Sequence, residues 1–430
     1  MIYYLLKYTM MFVLRLYFKK VSFSNKSNYP SSGPVILAAM HPNSFIDDMT
    51  LGAFTKRQLT FLARGDVFNS KFKRFLLGQM FVSPIYRAMD NVKDVKKNIE
   101  ALDMYSQKLR RGKVILIHSE GICVVEKRVR KMRKGTARIA FGAEEQSDFK
   151  LGVKVVPVSM NYSNAPKIRE RVMIDFGEPI ELKKYEALYK ENSAKAMLEF
   201  NNELYAALVS KSIHVKPKEA DKVADVCLEI TVNDKPPKAL PIYDEDEAHL
   251  TAEKKVSDRI NHLFENENEQ YKNLEQLTNQ YSSALQANNL NDASVVKSKN
   301  GVLKSIALAL LLPLYSLAYI LNVLPVFLGR RLADKVVKTP EFYGSVYVGA
   351  SWMLGLLYYL LIIILVNVLS PFSGCLVVFC MAFTGFWSVL LRDQYLSYLS
   401  KSRASKVFNQ VPQLQNELLS LREQIKQILA

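Results

Sequence analysis

The chain is basic and of neutral average hydropathy: its 430 residues carry 58 Lys and Arg against 41 Asp and Glu, a net charge of +17, with a mean hydropathy of −0.01. Such a positive surplus suits an anionic lipid surface, phosphorylated ligands or nucleic acid. The four cysteines are scattered, which excludes a disulfide framework and a paired-cysteine metal site and indicates a reducing cytoplasm around the soluble part.

Residues 1–20 are apolar, but Lys7 and Arg15 interrupt the apolar run. No small-residue cleavage site follows, so a cleaved signal is not indicated. A spanning helix would have to bury a cation, which is costly. The pattern therefore predicts a helix that lies in the membrane interface, with its cations reaching toward lipid phosphates. A single membrane span is the alternative.

Residues 21–215 alternate between short apolar runs and helical stretches. The apolar runs predict strands at 34–40, 58–62, 114–117, 153–158 and 171–176. The helical pattern covers 91–111, 135–145 and 182–211. Strands that alternate with helices predict an α/β fold, in which a mixed, largely parallel sheet is flanked by helices.

The segment 216–304 differs in composition from the domain before it. Residues 214–244 contain four prolines and lack a clear pattern, which indicates an irregular exit from the domain. Residues 245–300 are highly polar and rich in Glu, Asn, Gln and Lys. We therefore expect a polar linker region, helical or irregular, with no chemistry of its own.

Residues 305–391 form a membrane region with three long stretches that lack charged side chains: 305–328, 344–369 and 371–391. Each stretch is long enough to cross a bilayer, which needs roughly 20 residues. The last two are joined by a short uncharged loop, and basic residues flank the pair on both sides. Because positive charge marks the cytoplasmic side, this hairpin is predicted to enter and leave from the cytoplasm.

The first apolar stretch conflicts with that orientation. If 305–328 crossed the membrane once from a cytoplasmic domain, the basic loop 329–342 would lie outside. Pro313 and Pro325 favour a re-entrant hairpin, and a full span is the alternative. The tail at 392–430 has apolar residues at helical spacing, which predicts an amphipathic helix used for packing or self-association.

The segment 35–48 carries the candidate for catalysis. A buried-type strand leads to His41, and Asp47 follows six residues later. Acyl transfer to an alcohol needs a base with a pKa near neutrality, and a carboxylate on the other ring nitrogen fixes the tautomer. We predict that His41 meets Asp47 in the first turn of a helix capped by Asn43 or Ser44. In isolation, such a pair more often only holds a turn together.

Further candidate residues follow in order. Arg64 ends a strand and Arg87 follows Pro-Ile-Tyr, and an arginine offers the planar, paired donors that suit phosphate. Singly, such arginines are more often surface residues. Glu120 and Gly121 form a turn at the carboxyl end of a strand, where α/β folds gather their ligands.

Arg128 belongs to a basic run beside this turn. A charge run is usually a solvated face, but here it is a candidate for binding phosphates of a coenzyme or of an anionic membrane. The run comprises Lys127, Arg128, Arg130, Lys131, Arg133, Lys134 and Arg138. The next strand contains Pro157, which implies an edge strand or a bend.

The ordered set resembles the four blocks of the glycerolipid acyltransferase superfamily, which includes glycerol-3-phosphate and 1-acylglycerol-3-phosphate acyltransferases. The blocks are His-Pro-Asn-Ser-Phe-Ile-Asp at 41–47, Pro-Ile-Tyr-Arg at 84–87, Ser-Glu-Gly at 119–121 and Val-Val-Pro-Val at 155–158. The resemblance covers about residues 30–210. Each block is weak by itself, whereas their order is specific.

This resemblance implies a glycerol-3-phosphate-acyltransferase-like fold, a donor that is acyl-CoA or acyl-carrier protein, and no metal or other cofactor. It implies His41 as the base and Asp47 as its partner. It also implies Arg87, Glu120 and Gly121 as acceptor-site residues. Arg64 and Arg128 are further candidates, because arginine side chains suit phosphate.

Two departures from the family pattern matter. Five residues rather than the usual four separate His41 from Asp47, and the extra one is expected in the loop before the helix. Some glycerol-3-phosphate acyltransferases share this longer form, which favours that substrate. The usual Phe-Pro-Glu-Gly is His-Ser-Glu-Gly at 118–121, and the Thr-Arg that often follows is Ile-Cys at 122–123. The phosphate-contacting arginine thus has no aligned counterpart, and Arg128 or Arg130 is the candidate replacement.

The sequence therefore predicts an integral membrane O-acyltransferase of phospholipid biosynthesis, with its catalytic domain on the cytoplasmic face. Its expected partners are an acyl donor, a glycerophosphate or lysolipid acceptor, and membrane lipid. One alternative acceptor is an amino-acid-based or other non-phosphate lysolipid, and another possibility is a catalytically inactive membrane scaffold. Nucleic-acid binding is not indicated, because no recognised motif accompanies the charge.

Overall fold

The computed structural model describes residues 2–86, 95–296, 299–370 and 373–430, without the side chains of residues 2 and 95–99. The chain divides into two compact units. Unit 1 comprises Met1–Ile213, Leu240–Glu247 and Thr339–Ser345, and unit 2 comprises His214–Ala239, Ala248–Lys338 and Val346–Ala430.

Unit 1 is built on a mixed, largely parallel sheet, as predicted. In the described part of the chain its strands are β1 Lys20–Ser24, β2 Val35–Ala39, β3 Leu59–Arg64, β4 Val82–Ile85, β5 Val114–His118, β6 Lys154–Tyr162, β7 Arg171–Phe176, β8 Ile180–Glu181 and β9 Tyr243–Glu245. Their order is β4-β3-β5-β2-β6-β7-β1-β9, with β8 beside β6. Only the pairings of β6 with β7 and β8 are antiparallel. The central strands are continuous apolar runs because both faces of the sheet are covered.

Helices precede, separate and follow these strands along the chain. They are α1 Ile2–Tyr17, α2 Phe45–Phe54, α3 Lys71–Gln79, α4 Val95–Arg110, α5 Lys134–Glu145, α6 Glu186–Glu191 and α7 Ser193–Ser210. The predicted helix at 182–211 is divided, because Asn192 lies between α6 and α7 with an extended backbone. The Asn192 side chain accepts a hydrogen bond from the Lys195 amide and so begins α7.

Pro157 lies inside the sheet, so the prediction of an edge strand was wrong. β6 pairs with β2 on one side and with β7 and β8 on the other. The ladder with β8 covers Lys154 and Val155, and the ladder with β7 begins at Val158. Pro157 therefore falls where the partner strand changes, and its missing N–H costs no ladder hydrogen bond. Its carbonyl still accepts a hydrogen bond from the Gly177 amide at 2.8 Å.

The cations of α1 have partners within unit 1, which corrects the expectation that they reach toward lipid phosphates. The Lys7 Nζ donates to the Thr55 carbonyl at 2.5 Å, at the carboxyl end of α2. The Arg15 guanidinium lies 5.4 Å from the ring centroid of Phe54. Both cations thus bind the protein, while the exposed face of α1 carries Tyr4, Leu5, Tyr8 and Phe12. An apolar, aromatic face of this kind suits the membrane interface, and that location stays a prediction.

Unit 2 is helical, and much of the expected linker belongs to it. In the described residues its helices are α8 Asp221–Asp234, α9 Ala248–Asn266, α10 Asn268–Ala287, α11 Asp292–Val296, α12 Val302–Val336, α13 Pro340–Leu369, α14 Gly374–Gln410 and α15 Pro412–Leu429, with the first turn of α13 in unit 1. Cys227, Ile260 and Leu274 are fully buried. These polar-looking helices therefore pack around a core rather than forming an exposed linker. The amphipathic tail α15 packs on α10, with Leu418 and Ile425 fully buried.

Among the residues that the structure describes, three helices, α12, α13 and α14, are long and apolar enough to cross a membrane. α12 runs without a break through Pro313 and Pro325, so the re-entrant hairpin broken at these prolines was wrong. A proline inside such a helix removes a backbone hydrogen bond, but neighbouring helices make this tolerable. α12 packs along α14, and Lys304 donates to Gln394 at 2.8 Å.

A buried ion-pair cluster joins α8, α11 and α15 of unit 2. The Arg422 guanidinium donates to Asp292 at 2.8 Å, and it pairs with Asp234 at 2.6 Å. The Asp292 carboxylate also accepts a hydrogen bond from Tyr281 at 2.5 Å. The side chains of Arg422 and Asp292 are 4% and 1% exposed, so each charge depends on the other.

Replacement of Arg422 by Ala should destabilise unit 2 strongly. It would leave Asp292 buried without its cation, a loss of about 3–5 kcal/mol. Lys426→Ala is the matched control, because Lys426 pairs with the same Asp234 at 3.3 Å but is 36% exposed, and a loss below about 1 kcal/mol is expected. Thermal unfolding of the purified variants in one detergent compares the two. Equal melting temperatures would contradict the role of the cluster.

Candidate active site

The candidate site lies at the carboxyl edge of the sheet, where β2 and β5 end side by side. The two strands are parallel neighbours, and Ala39 is in register with His118. The loop 40–44 after β2 and the turn 118–121 after β5 therefore leave the sheet at the same edge. This is the edge where open α/β sheets place their ligands.

His41 and Asp47 meet as predicted. The His41 Nδ1 lies 3.0 Å from the Asp47 Oδ2. The Asp47 side chain is fully buried, whereas the His41 side chain is 19% exposed. Within the described residues, the other ring nitrogen of His41, Nε2, has no hydrogen-bond partner. The pair thus presents a histidine to the outside with a buried carboxylate behind it, the arrangement of a general base.

The contact between Asp47 and His41 depends on the short segment between β2 and the first turn of α2. α2 begins at Phe45, so Asp47 lies in its first turn, where the helix dipole favours a carboxylate. The Asp47 Oδ2 also accepts a hydrogen bond from the Asn43 amide at 2.9 Å. The predicted side-chain cap is not formed: Ser44 makes no cap hydrogen bond, and the Asn43 side chain donates to the Ala165 carbonyl. Ser44 instead has a φ of 47° and a ψ of −136°, a sparsely populated conformation that costs roughly 1–3 kcal/mol in non-glycine residues.

Tyr162 completes the environment of Asp47, and sequence reasoning missed it. Its hydroxyl donates to the Asp47 Oδ1 at 2.6 Å. β6 pairs with β2 as far as Val158 and then continues for four residues along β7. This extension carries Tyr162 past the sheet edge to Asp47. No pattern of residues in the sequence predicts this contact, because it depends on the unequal lengths of two neighbouring strands.

Glu120 lies beside His41 but contacts the backbone. Its Oε2 accepts a hydrogen bond from the His41 amide at 3.3 Å, and its Oε1 accepts one from the Arg130 amide at 2.8 Å. Burial raises the pKa of Glu120, although the two amides and the nearby His118 oppose this effect. Glu120 therefore links the His41 loop to the basic segment, and its role in binding the acceptor stays a prediction.

Gly121 is required by the turn itself. Its φ is +70°, which favours glycine, and its amide donates to the His118 carbonyl at 3.0 Å. A Cβ at this position would lie 2.9 Å from the side chain of Arg133. Gly121 thus shapes the turn after β5 and lets Arg133 pass close to it.

The candidate arginines already have acidic partners. Arg64 is exposed and bonds to Asp66 through two nitrogens, at 3.2 and 2.8 Å. Arg128 and Arg130 both pair with Glu126, at 3.4 and 2.8 Å. A phosphate would have to compete with these carboxylates. Arg87 lies outside the described residues.

Cys123 lies half-buried near the pair. The Ser44 amide donates to its sulfur at 3.1 Å. Burial and the nearby Asp47 raise the pKa of the Cys123 thiol well above its usual range. Because the thiolate is the reactive form, Cys123 is held as an unreactive thiol. Across the described ranges no cluster of His, Cys, Asp or Glu side chains could hold a metal ion.

The first turn of α13 packs against the His41 loop within unit 1. A Cβ on Gly344 would lie 2.5 Å from the Tyr17 hydroxyl and 3.3 Å from the Asn43 Oδ1. Glu341, in the same turn, acts electrostatically on Cys123. The site is therefore closed on this side by the start of a helix that is long enough to cross a membrane.

The comparison with protein-family models agrees with the resemblance found in the sequence. Residues 20–161 match the family model described as Acyltransferase. The matched segment lies within unit 1. A search of curated proteins gave no match. Among solved structures, the 1-acyl-sn-glycerophosphate (LPA) acyltransferase PlsC from Thermotoga maritima is similar at 19% identity and a TM-score of 0.31, over 46% of this chain and 80% of that one.

The matched segment includes His41, Asp47, Glu120 and most of β6. An acyltransferase uses an acyl donor and, in the glycerolipid families, a lipid acceptor. The geometry thus agrees with general-base chemistry on a hydroxyl.

Tyr162→Phe should lower acyl-transfer activity by about ten- to a hundredfold, because a hydrogen bond to a charged group is worth about 1.5–3 kcal/mol. The loss should appear in kcat, since the hydroxyl supports Asp47 rather than a substrate. Tyr29→Phe is the matched control: the Tyr29 hydroxyl is buried with no hydrogen-bond partner among the described residues. Steady-state kinetics of the two variants test this. Equal kcat values would contradict it.

Gly344→Val should also lower activity, by about tenfold or more, since small displacements of catalytic groups are costly. The new side chain would collide with Tyr17 and displace the His41 loop. Gly349→Val in the same helix is the control, because a Cβ there meets no described atom within 4 Å. Initial rates at saturating substrate distinguish the two. Wild-type activity in Gly344→Val would contradict this prediction, because it would mean that the His41 loop can be displaced without a loss of activity.

Proposed function

We propose that the protein transfers a fatty acyl chain from a thioester donor, acyl-CoA or acyl-carrier protein, to glycerol 3-phosphate or 1-acylglycerol 3-phosphate. The observation that carries this proposal is the His41–Asp47 pair, with its 3.0 Å hydrogen bond and partly exposed imidazole, inside the segment that matches the Acyltransferase family model.

In the proposed reaction, the His41 Nε2 accepts the proton of the acceptor hydroxyl as its oxygen attacks the thioester carbonyl. A tetrahedral intermediate forms, and its collapse breaks the carbon–sulfur bond. The thiolate then receives the proton from His41, which returns the base to its starting form. Asp47 stabilises the imidazolium in between, and the Asn43 amide and the Tyr162 hydroxyl hold the carboxylate in place.

The charge of the site supports a phosphorylated acceptor. Glu120 joins the His41 loop to the Arg130 amide, so the basic run at 127–138 begins near the proposed base. Arg128 and Arg130 are the proposed phosphate ligands, and the phosphate would replace Glu126 as their partner. Arg64 and Arg87 are proposed as further acceptor-site residues. The six-residue step from His41 to Asp47 favours glycerol 3-phosphate over the lysolipid.

We place the reaction at the cytoplasmic face of a membrane. α12, α13 and α14 are candidate spans, and the first turn of α13 packs against the His41 loop. Basic residues flank the apolar pair at 344–391 on both sides, which favours a cytoplasmic location for its ends. A site at this position could release a lipid product directly into the membrane.

A non-phosphate lysolipid is the second candidate acceptor. Ile122 and Cys123 stand where the family often has Thr-Arg, and Cys123 is an inert thiol bonded to the Ser44 amide. An amino-acid-based acceptor would need no arginine at this position. An inactive scaffold is disfavoured, because the dyad and its buried supports are complete.

An acceptor screen tests the proposal. Purified protein in lipid nanodiscs receives palmitoyl-CoA or palmitoyl-acyl-carrier protein with glycerol 3-phosphate, 1-acylglycerol 3-phosphate or an N-acylated amino-acid lysolipid. We expect product from a phosphorylated acceptor and a loss of at least about a hundredfold in His41→Ala, because general-base catalysis contributes this much. Asp47→Asn should also be impaired.

The matched control is His262→Phe, which removes an exposed histidine in unit 2 and should keep full activity. Full activity in His41→Ala would overturn the mechanism. Product from the amino-acid lysolipid alone would favour the second acceptor, and no product with any acceptor would favour the scaffold.

A further inference from the structure

A second histidine–carboxylate pair lies directly beside the first. The ring of His118 stacks on the ring of His41, with centroids 3.6 Å apart and planes inclined by 15°. The His118 Nε2 lies 3.0 Å from the Asp48 Oδ1, and its Nδ1 lies 3.0 Å from the Met40 carbonyl. The site therefore contains two parallel imidazoles, each held by one of two consecutive aspartates.

The partners of His118 determine its protonation state. A backbone carbonyl and a carboxylate are both acceptors, and a neutral imidazole has only one N–H to donate. Both hydrogen bonds are satisfied only by the doubly protonated ring. Burial by itself lowers the pKa of His118, but attraction and hydrogen bonding by Asp48 outweigh it and raise the pKa to about 9. The hydrogen-bond geometry and the direction of the pKa shift thus both favour the imidazolium form of His118 at neutral pH.

The surrounding charges agree with this assignment. The titratable groups that face His118 are His41 from the loop after β2, Asp47 and Asp48 from α2, and Glu120 from the turn after β5. Three of these four groups are carboxylic acids. One imidazolium among them offsets negative charge that would otherwise be buried together.

We propose that His118 is a positioning residue for the reaction above: as an imidazolium fixed by Asp48 and Met40, it holds the ring plane of His41 so that Nε2 faces the acceptor hydroxyl. Asp47 fixes one atom of the His41 ring, but rotation about that hydrogen bond would leave the plane undefined. The stacked face of His118 removes this freedom. This inference rests on the proposed function, because it assigns a support to the same base.

The consequence is a dependence of kcat on the charge of His118. When His118 loses its proton, one of its two hydrogen bonds is lost and the stack loosens. The wild-type kcat should therefore fall as the pH rises through about 9. In Asp48→Asn the anion that raises the pKa is gone while the shape is kept, so the fall in kcat should move to lower pH.

The test measures kcat and KM between pH 7 and 10 for the wild type, His118→Phe and Asp48→Asn. His118→Phe keeps a flat ring but neither the charge nor the hydrogen bonds. We expect its kcat at pH 7.5 to drop by about tenfold or more, its KM values to stay within about twofold, and its kcat to show no fall at high pH. His262→Phe should keep the wild-type profile.

Wild-type kcat and pH profile in His118→Phe would overturn the proposal, as would an effect confined to KM. If His118→Phe does not fold, Asp48→Asn tests the proposal. A kcat that falls at the same pH in Asp48→Asn as in the wild type would refute the positioning role of His118. A wild type inactive on every acceptor would contradict the proposed function instead. The charge of His118 would then be tested by thermal unfolding. Because folding raises the pKa of His118, the protonated ring stabilises the fold fully at pH values below the unfolded-state pKa. This stabilisation is lost as the pH rises through about 9. A wild-type melting temperature that does not fall from pH 7 to 9.5 would refute it.

Discussion

The in-register parallel pairing of β2 with β5 is the constraint on which the site depends. It places Ala39 opposite His118, so that two segments separated by about 80 residues end at the same edge. The His41 loop and the Glu120 turn then bond to one another through the Glu120 carboxylate. A shift of one residue in this register would turn the alternate side chains to the other face of the sheet, and His118 would no longer stack on His41.

The buried Asp47 is the electrostatic centre built on this frame. An ionised carboxylate without solvent needs donors, and it receives them from three directions: the His41 ring, the Asn43 amide and the Tyr162 hydroxyl. Two of these donors belong to the loop between β2 and α2, and the third is supplied by the long strand β6. Ser44, with its positive φ, is part of the same arrangement, because it turns the chain from the loop into α2.

The remainder of the chain shows how composition can mislead about packing. The polar segment at 245–300 resembles a linker because its apolar residues are spread at helical spacing among many charges. In the fold these residues converge on a core in unit 2, closed by α15 and by the buried Arg422–Asp292 pair. The prolines of α12 mislead in the same way. The sequence predicts that they break the helix, but α12 is continuous and packs against α14.

The sequence by itself determined the class of the fold, the central strands and the pair His41 and Asp47, because these depend on local patterns: apolar runs bounded by turns, and a histidine one loop away from a helix start. Tertiary structure alone decided what surrounds the pair. Tyr162 reaches Asp47 because β6 outruns β2, Pro157 lies inside the sheet because its partner strand changes there, and His118 meets both His41 and Asp48 because two distant strands share a register. Such contacts depend on which strands become neighbours, and no window of sequence around any one of these residues contains that information.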